Sequence, residues 1–355
     1  MTTTATEDHP PRTGSSDEAL DRVLADGLAR ARQVGPDHVA LWTALTEATR
    51  GGKRFRPALA AAAYDMLGGT DQQAVGVLGA ALELLHTAFV IHDDVIDGDD
   101  VRRGRPNVSG GYASTARAEG ASSEASSHLG STAAILAGDL ALASAIRTVA
   151  LCPAEPRTVR RLLDLFDHAL HTTAAGELAD VRFGLGTRDP SLAESLTMEE
   201  QKTSAYSFAL PLQAGAVLAG ADEITVHRLG EAGRMLGIAF QLLDDLLGVF
   251  GDPAATGKSV LTDLREGKQT PLIAHARTTS QWEGVAAHLG SPELTEDDAE
   301  VVRGLLVASG SRRFVEELAA DYVRGAGAAI DRLGLSLDRL DVLGVLTAHA
   351  GDKAA

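Results

Sequence analysis

His92-Asp93-Asp94-Val95-Ile96-Asp97 closes an apolar run that begins near Ala74, so three carboxylates stand where a buried helix should end. An isolated carboxylate is costly to bury even after the protein relaxes, and a cluster this dense calls for compensating cations. Magnesium suits it, because that ion takes oxygen ligands and keeps several waters. At about 100° per residue, His86, Asp93 and Asp97 lie within about 40° of one another on one helical stripe, with Asp94 about 80–100° away. One helix face therefore presents oxygen ligands.

Upstream of that run, Gly51-Gly52-Lys53-Arg54-Phe55-Arg56-Pro57 frees the backbone with two glycines just before three cations, and Pro57 suits the first turn of a following helix. Downstream, Asp99 and Asp100 give way to Arg102-Arg103-Gly104-Arg105-Pro106. Acids of this kind hold metal and bases hold phosphate. Read alone, the first segment is equally open to being a solvated basic turn, and a charged loop like the second is more often solvated surface. Residues 107–130 are rich in Ser, Gly and Ala with scarcely an apolar anchor, which predicts a long mobile loop.

Further along, Ser131 to Leu151 and Arg157 to Phe183 read as helices, the second carrying Glu177 and Asp180 on one face. Thr197-Met198-Glu199-Glu200 has capping-box spacing and is expected to launch a helix through Lys202-Thr203. A second apolar helix ends in Gln241-Leu242-Leu243-Asp244-Asp245, with Gly248 on the face of Gln241, Asp244 and Asp245. Gly257-Lys258 and Asp263-Leu264-Arg265-Glu266-Gly267-Lys268-Gln269-Thr270 follow, and neither Gly-Lys pair fits the P-loop pattern. Thr295 and Asp298 suggest a further helix cap.

Composition narrows the class. The 355 residues are 45% apolar and carry a formal charge of -17, which argues against a nucleic-acid surface. Ala/Leu-rich windows with few alternating β-branched runs indicate an all-α fold in one helical domain over residues 18–350. The polar stretch 1–17 lacks the apolar core of a signal peptide and is expected to be a disordered tail. Charged residues interrupt windows 74–92 and 133–151, so no transmembrane segment is expected and a cytoplasmic location is. The single Cys152 excludes an internal disulfide.

Two acid clusters, each close in sequence to Lys or Arg, describe a magnesium-bridged polyphosphate site better than either does alone. Together with Glu-Leu-Leu-His at 83–86 and Lys202-Thr203, these motifs resemble, in order and spacing, a trans (all-E) polyprenyl diphosphate synthase from about Gly51 to Thr270, most like a bacterial geranylgeranyl diphosphate synthase. The resemblance implies an isoprenoid synthase-type bundle of antiparallel helices around a deep central cavity, magnesium as cofactor, and condensation of isopentenyl diphosphate with an allylic diphosphate. It implies that Asp93, Asp94 and Asp97 hold metal on one wall, with Asp244 and Asp245 on the other. Arg102, Lys202, Lys258 and, more weakly, Lys268 are then expected on the allylic diphosphate; Lys53, Arg56, His86 and Arg103 are expected on the diphosphate of isopentenyl diphosphate. Thr203 and Gln241 are expected near the developing allylic cation. Ala88 and Phe89, five and four residues before Asp93, are expected to set chain length, the small Ala88 favouring geranylgeranyl diphosphate, with farnesyl diphosphate or a longer chain as the alternative products. A homodimer is the expected assembly.

One departure is Gly248, where the family usually has a third acid; Asp252 is a candidate substitute. That departure leaves room for a noncatalytic partner subunit of a heteromeric synthase. A phosphohydrolase built on His92-Asp93 leaves the later acid and Gly-Lys motifs unused, and the second metal motif of a class I terpene cyclase is not apparent.

Overall fold

The computed structural model describes residues 14–251 and 261–337. Helices make up almost all of it, and they fall into two compact units where the sequence reads as one domain: residues up to Asp164 with Val217–Gly220, and Leu165–Ala216 with the chain from Ala221 on.

The first unit holds α1 (Gly14–Val34), α2 (Pro36–Ala48), α3 (Phe55–Met66), α4 (Gln72–Asp97), α5 (Val108–Ala118), α6 (Ser123–Ala150) and the start of α7 (Pro156–Gly184). Helix α1 thus begins inside the stretch expected to be a tail. α4 starts at Asp71, whose carboxylate accepts from the Gln73 and Ala74 N–H groups, and stops at Gly98 in the left-handed region (φ 73). It is buried on most sides: Leu78, Leu82, Leu84, Leu85 and Ile91 are at most 2% exposed, each contributing about 1.5–3 kcal/mol by leaving water. By length and composition α4 and α6 would both suffice to cross a membrane, but 78% of the apolar window of α4 is buried within the protein. For α6 the share is 39%, and Leu129, Ile135 and Leu136 stay exposed.

Residues 107–130 are not the expected loop. Asn107 caps α5 and Ser122 caps α6, and the small residues between serve close packing. A Cβ added at Gly110 would meet the Asp100 carbonyl oxygen at 2.1 Å, and one at Gly130 the Ser109 carbonyl oxygen at 2.5 Å. The low apolar content reflects helices that touch backbone to backbone. Just before α5, a two-stranded antiparallel hairpin pairs β1 (Val101–Arg102) with β2 (Arg105–Pro106), the only sheet among the described residues.

The second unit continues α7 and adds α8 (Leu192–Glu199), a π-helical segment (Glu200–Ala209), α9 (Leu210–Leu218), α10 (Glu223–Phe250), α11 (Thr262–Glu266), α12 (Pro271–Ala276), α13 (Trp282–Ala286), α14 (Glu296–Ala308) and α15 (Ser311–Asp331). α8 is launched by a capping box of Ser191 and Glu194, not by Thr197, which lies inside the helix. The cap expected at Thr295 and Asp298 is present on α14. Ile238, Leu242, Leu246 and Val249 of α10 form one apolar core with Leu264, Leu272, Val302 and Val315. Two glycines bring α10 onto the π-helical segment: added Cβ atoms would lie 2.6 Å from the Ala209 Cα at Gly233 and 2.4 Å from the Ser204 Cβ at Gly237.

Candidate active site

In the first unit, α4 carries two sets of charge. Its end presents Asp93, which is half-buried, and Asp97, which is exposed; Asp94 between them is 4% exposed. Arg102, delivered by the hairpin, donates from Nε to Asp94 Oδ1 at 2.6 Å and from Nη2 to Asp93 Oδ2 at 3.0 Å. Burial pushes the Asp94 carboxyl above the usual carboxylate range, against the opposing pull of Arg102. Burial works against the Arg102 charge too, but Asp94 and Asp93 hold it firmly protonated.

About two helical turns earlier on α4 stands His86. Its pKa is lowered well below the imidazole range, first by burial and then by Arg56, Arg103, Arg102 and Arg54, so the ring is neutral among arginines. Arg56 is buried at 7% exposure and lies over the Phe55 ring, 4.4 Å from its centroid. Arg103, itself left-handed (φ 52), reaches over the Gly51-Gly52 turn: a Cβ at Gly51 would meet its Nη1 at 3.1 Å. Of the residues expected on the isopentenyl diphosphate, Arg56, His86 and Arg103 thus share one electrostatic environment, and Lys53 lies exposed on the same turn.

Arg54, which sequence patterning did not distinguish from its basic neighbours, has a structural role. It donates to Asp17 at 2.9 Å, to Glu83 at 2.7 Å and to the Thr49 carbonyl at 2.9 Å, tying α1 and α4 to the start of α3. Ala88 is buried in this unit at 1% exposure and Phe89 is half-buried.

In the second unit, Lys202 and Thr203 sit on the π-helical segment, an i to i+5 geometry common at functional sites. Lys202 Nζ pairs with Asp180 at 2.7 Å and Glu177 at 3.0 Å, so the acids of α7 form a cage for this lysine. Gly176 permits the approach: a Cβ there would lie 2.2 Å from the Lys202 backbone nitrogen. On α10, Gln241 Nε2 donates to Asp245 Oδ1 at 3.1 Å, and Lys268 Nζ lies 3.7 Å from the same oxygen. Burial opposes the charge on Lys268, yet Asp245, Asp263, Asp244 and Asp180 raise its pKa well above the usual lysine range.

Sequence reading missed Glu199. The last residue of α8 is 4% exposed, and burial followed by the nearby Asp245 charge pushes its pKa well above the carboxylate range. Its carboxyl is hydrogen-bonded with that of Asp245, whose own pKa burial raises against the pull of Lys268. Only the fold, which puts the end of α8 against α10, shows this pair. Lys258 and Asp252 lie outside the described residues.

The donors at the end of α4 are carboxylate oxygens. Such oxygens fit a hard divalent cation such as magnesium.

Comparison with known proteins agrees with this chemistry. Residues 39–304 match the polyprenyl synthetase family. The geranylfarnesyl diphosphate synthase of Aeropyrum pernix is 35% identical over 287 residues, 80% of this chain and 84% of that protein. The geranylgeranyl diphosphate synthase of Mycobacterium tuberculosis is 33% identical over 298 residues, 82% of this chain and 79% of that one. Among solved structures, the Corynebacterium glutamicum geranylgeranyl pyrophosphate synthase complexed with isoprenyl diphosphate and magnesium superposes with a TM-score of 0.86 at 29% identity, covering 96% of this chain and 98% of that one. On sequence and fold together, this chain belongs to the polyprenyl synthetase family.

Proposed function

We propose that the chain is a magnesium-dependent trans-prenyltransferase that joins isopentenyl diphosphate to an allylic diphosphate, with geranylgeranyl diphosphate as its main product. The observation that carries this reading is the double use of α4: a carboxylate cluster at its end, and neutral His86 among Arg56, Arg102 and Arg103 two turns earlier. Carboxylates and a cluster of cations thus gather along one helix.

Asp93, Asp94 and Asp97, with Asp244 and Asp245 of the second motif, would hold the magnesium. When bound, the ion supplies positive charge that stabilises the diphosphate leaving group. Arg56, Arg103 and His86 bind the isopentenyl diphosphate, His86 as a neutral donor whose ring adds no charge to the arginines around it. Arg102, Lys202, Lys258 and Lys268 bind the allylic diphosphate. The Thr203 hydroxyl and Gln241 amide direct their oxygen dipoles to the carbon that becomes electron-poor. The allylic C–O bond breaks with its electron pair leaving on the diphosphate, the isopentenyl double bond forms the new C–C bond, and a proton is lost to restore the alkene. Apolar side chains keep water from the cation.

The exposed Leu129, Ile135 and Leu136 of α6 support a homodimer. Light scattering on the purified protein tests it, and a monomer at micromolar concentration refutes it. The burial of α4 within the protein fits the expected cytoplasmic location.

Incubation of the purified protein with magnesium, isopentenyl diphosphate and each of dimethylallyl, geranyl and farnesyl diphosphate, followed by product chromatography, tests the activity. Geranylgeranyl diphosphate is expected from all three. Phosphate release from isopentenyl diphosphate alone would instead support a hydrolase, and silence until a second subunit is added would support a noncatalytic partner.

A further inference from the structure

Between α11 and α12 the chain makes the turn Gly267–Thr270, which brings the Lys268 ammonium to 3.7 Å from Asp245 on α10. Lysine has many rotamers to lose, so it keeps such a position only where its backbone is held. Both flanks of the turn are held. The Lys268 N–H donates to the Asp263 carbonyl at 3.0 Å, and Thr270 caps α12, its hydroxyl accepting from the Ile273 N–H at 3.4 Å.

Gln269 fastens the middle. Its Nε2 donates to the Gly267 carbonyl at 2.6 Å, its own carbonyl accepts from Ser195 Oγ of α8 at 3.2 Å, and its Oε1 accepts from Nη2 of Arg277. Arg277 stands just past the end of α12, so its guanidinium reaches back to the turn in front of that helix. The same Nη2 lies 2.9 Å from Asp189, and the guanidinium carbon lies 5.1 Å from the Trp282 ring centroid.

This placement is costly. Only 12% of the Arg277 side chain is exposed, and Nε and Nη1 are buried with no hydrogen-bond partner among the described residues. Burial accordingly lowers its pKa, against the pull of Asp189. The Asp189 side chain is 69% exposed, and an ion pair to so solvated an acid does little to offset the burial of a guanidinium. The contact with Gln269, one residue from Lys268, gives the buried cation a use.

We propose that Arg277 is a positioning residue for Lys268: through Gln269 it holds the turn so that the ammonium is in place for the allylic diphosphate. The inference rests on the prenyltransferase reading for what Lys268 binds, and on the Arg277–Gln269 contact for how it is held.

Steady-state kinetics of full-length variants with magnesium are the test. Arg277→Met should raise the KM for the allylic diphosphate about five- to tenfold and leave that for isopentenyl diphosphate within about twofold. A loss of folded protein alone would lower kcat and move neither KM. Gln269→Leu should have the same effect, and the double variant should be no worse than the poorer single one. Hydrogen exchange reads the turn without turnover: the Lys268 and Thr270 amides should exchange about tenfold faster in Arg277→Met, while those of α10 keep their wild-type rates. If Arg277→Met does not fold, Gln269→Leu decides. An unchanged allylic KM in a folded variant, equal rises in both KM values, or additive losses in the double variant overturn the proposal. Absent transfer by the wild type with the expected local exchange sinks the prenyltransferase reading and keeps the clamp. Wild-type transfer with unchanged exchange and KM in the variants sinks the clamp alone.

Discussion

Arg102 lies across the first acid motif, its guanidinium 2.6 Å from Asp94 and 3.0 Å from Asp93. Lys202 is held in the same manner by Asp180 and Glu177. Two cations expected to bind diphosphate therefore lie against acids. Arg102→Met should lower the unfolding free energy, measured without added metal, by about 1–3 kcal/mol, because Asp94 stays buried without its donor. Turnover should fall by about 10²–10³-fold if the same guanidinium stabilises the leaving diphosphate. Denaturant unfolding and steady-state assays read the two effects, and an active, equally stable variant would show that Arg102 serves neither role.

Asp93→Ala and Asp244→Ala should each cut turnover by about 10²-fold or more if each acid positions magnesium, while the fold is kept. Both side chains are more exposed than their neighbours Asp94 and Asp245, so removing them disturbs less packing. The metal-free variants are expected to unfold at or above the wild-type temperature, as carboxylate repulsion is relieved. Near-normal turnover in both removes the metal clamp.

Glu199 gives a pH-dependent prediction with a defined sign. Its folded-state pKa is raised, first by burial and then by Asp245, so its contribution is fully present below the unfolded value of about 4.3 and is lost as pH rises toward the folded value. Glu199→Gln keeps a neutral hydrogen-bond donor without the cost of remaining protonated. The variant should gain more stability at pH 8 than at pH 5 in thermal unfolding. An equal effect at both pH values would mean that Glu199 is ionised in the folded protein.

His86 has the opposite sign. Burial and the surrounding arginines lower its pKa, so the unfolded chain takes up a proton below about pH 6.5 that the folded protein refuses. Stability should therefore fall as pH drops below that value, and His86→Gln should flatten the fall. Parallel pH profiles of wild type and variant would contradict a neutral His86.

The sequence made legible the parts whose chemistry is local. The run ending at Asp97 is buried because its residues are apolar all round, and Gly51 and Gly52 fit the left-handed turn (φ 78 and 81) beneath Arg103. Residues 107–130 misled because small residues signal flexibility when isolated, whereas Gly110 and Gly130 here permit close helix contact. The π-helical register of Glu200–Ala209 leaves no mark in a pattern of apolar positions. Glu199 depends on which helices meet, and no spacing along the chain brings it to Asp245 of α10.

Chain length is the prediction that most depends on packing. Ala88 and Phe89 stand five and four residues before Asp93, a little over one turn from the acid motif. Ala88 is 1% exposed and Phe89 is half-buried, so the two positions differ in what a substitution meets. Tyrosine at 88 must force its way among packed helices and should cost about 1–3 kcal/mol of stability. If the growing product passes this level of α4, Ala88→Tyr should also shift the product toward farnesyl diphosphate, and Phe89→Ala should lengthen it beyond geranylgeranyl diphosphate. Product ratios are measured on folded protein at limiting isopentenyl diphosphate, with thermal unfolding recorded alongside. A loss of stability with an unchanged product distribution in both variants would make these side chains packing residues only, and the floor of the product site would then lie elsewhere.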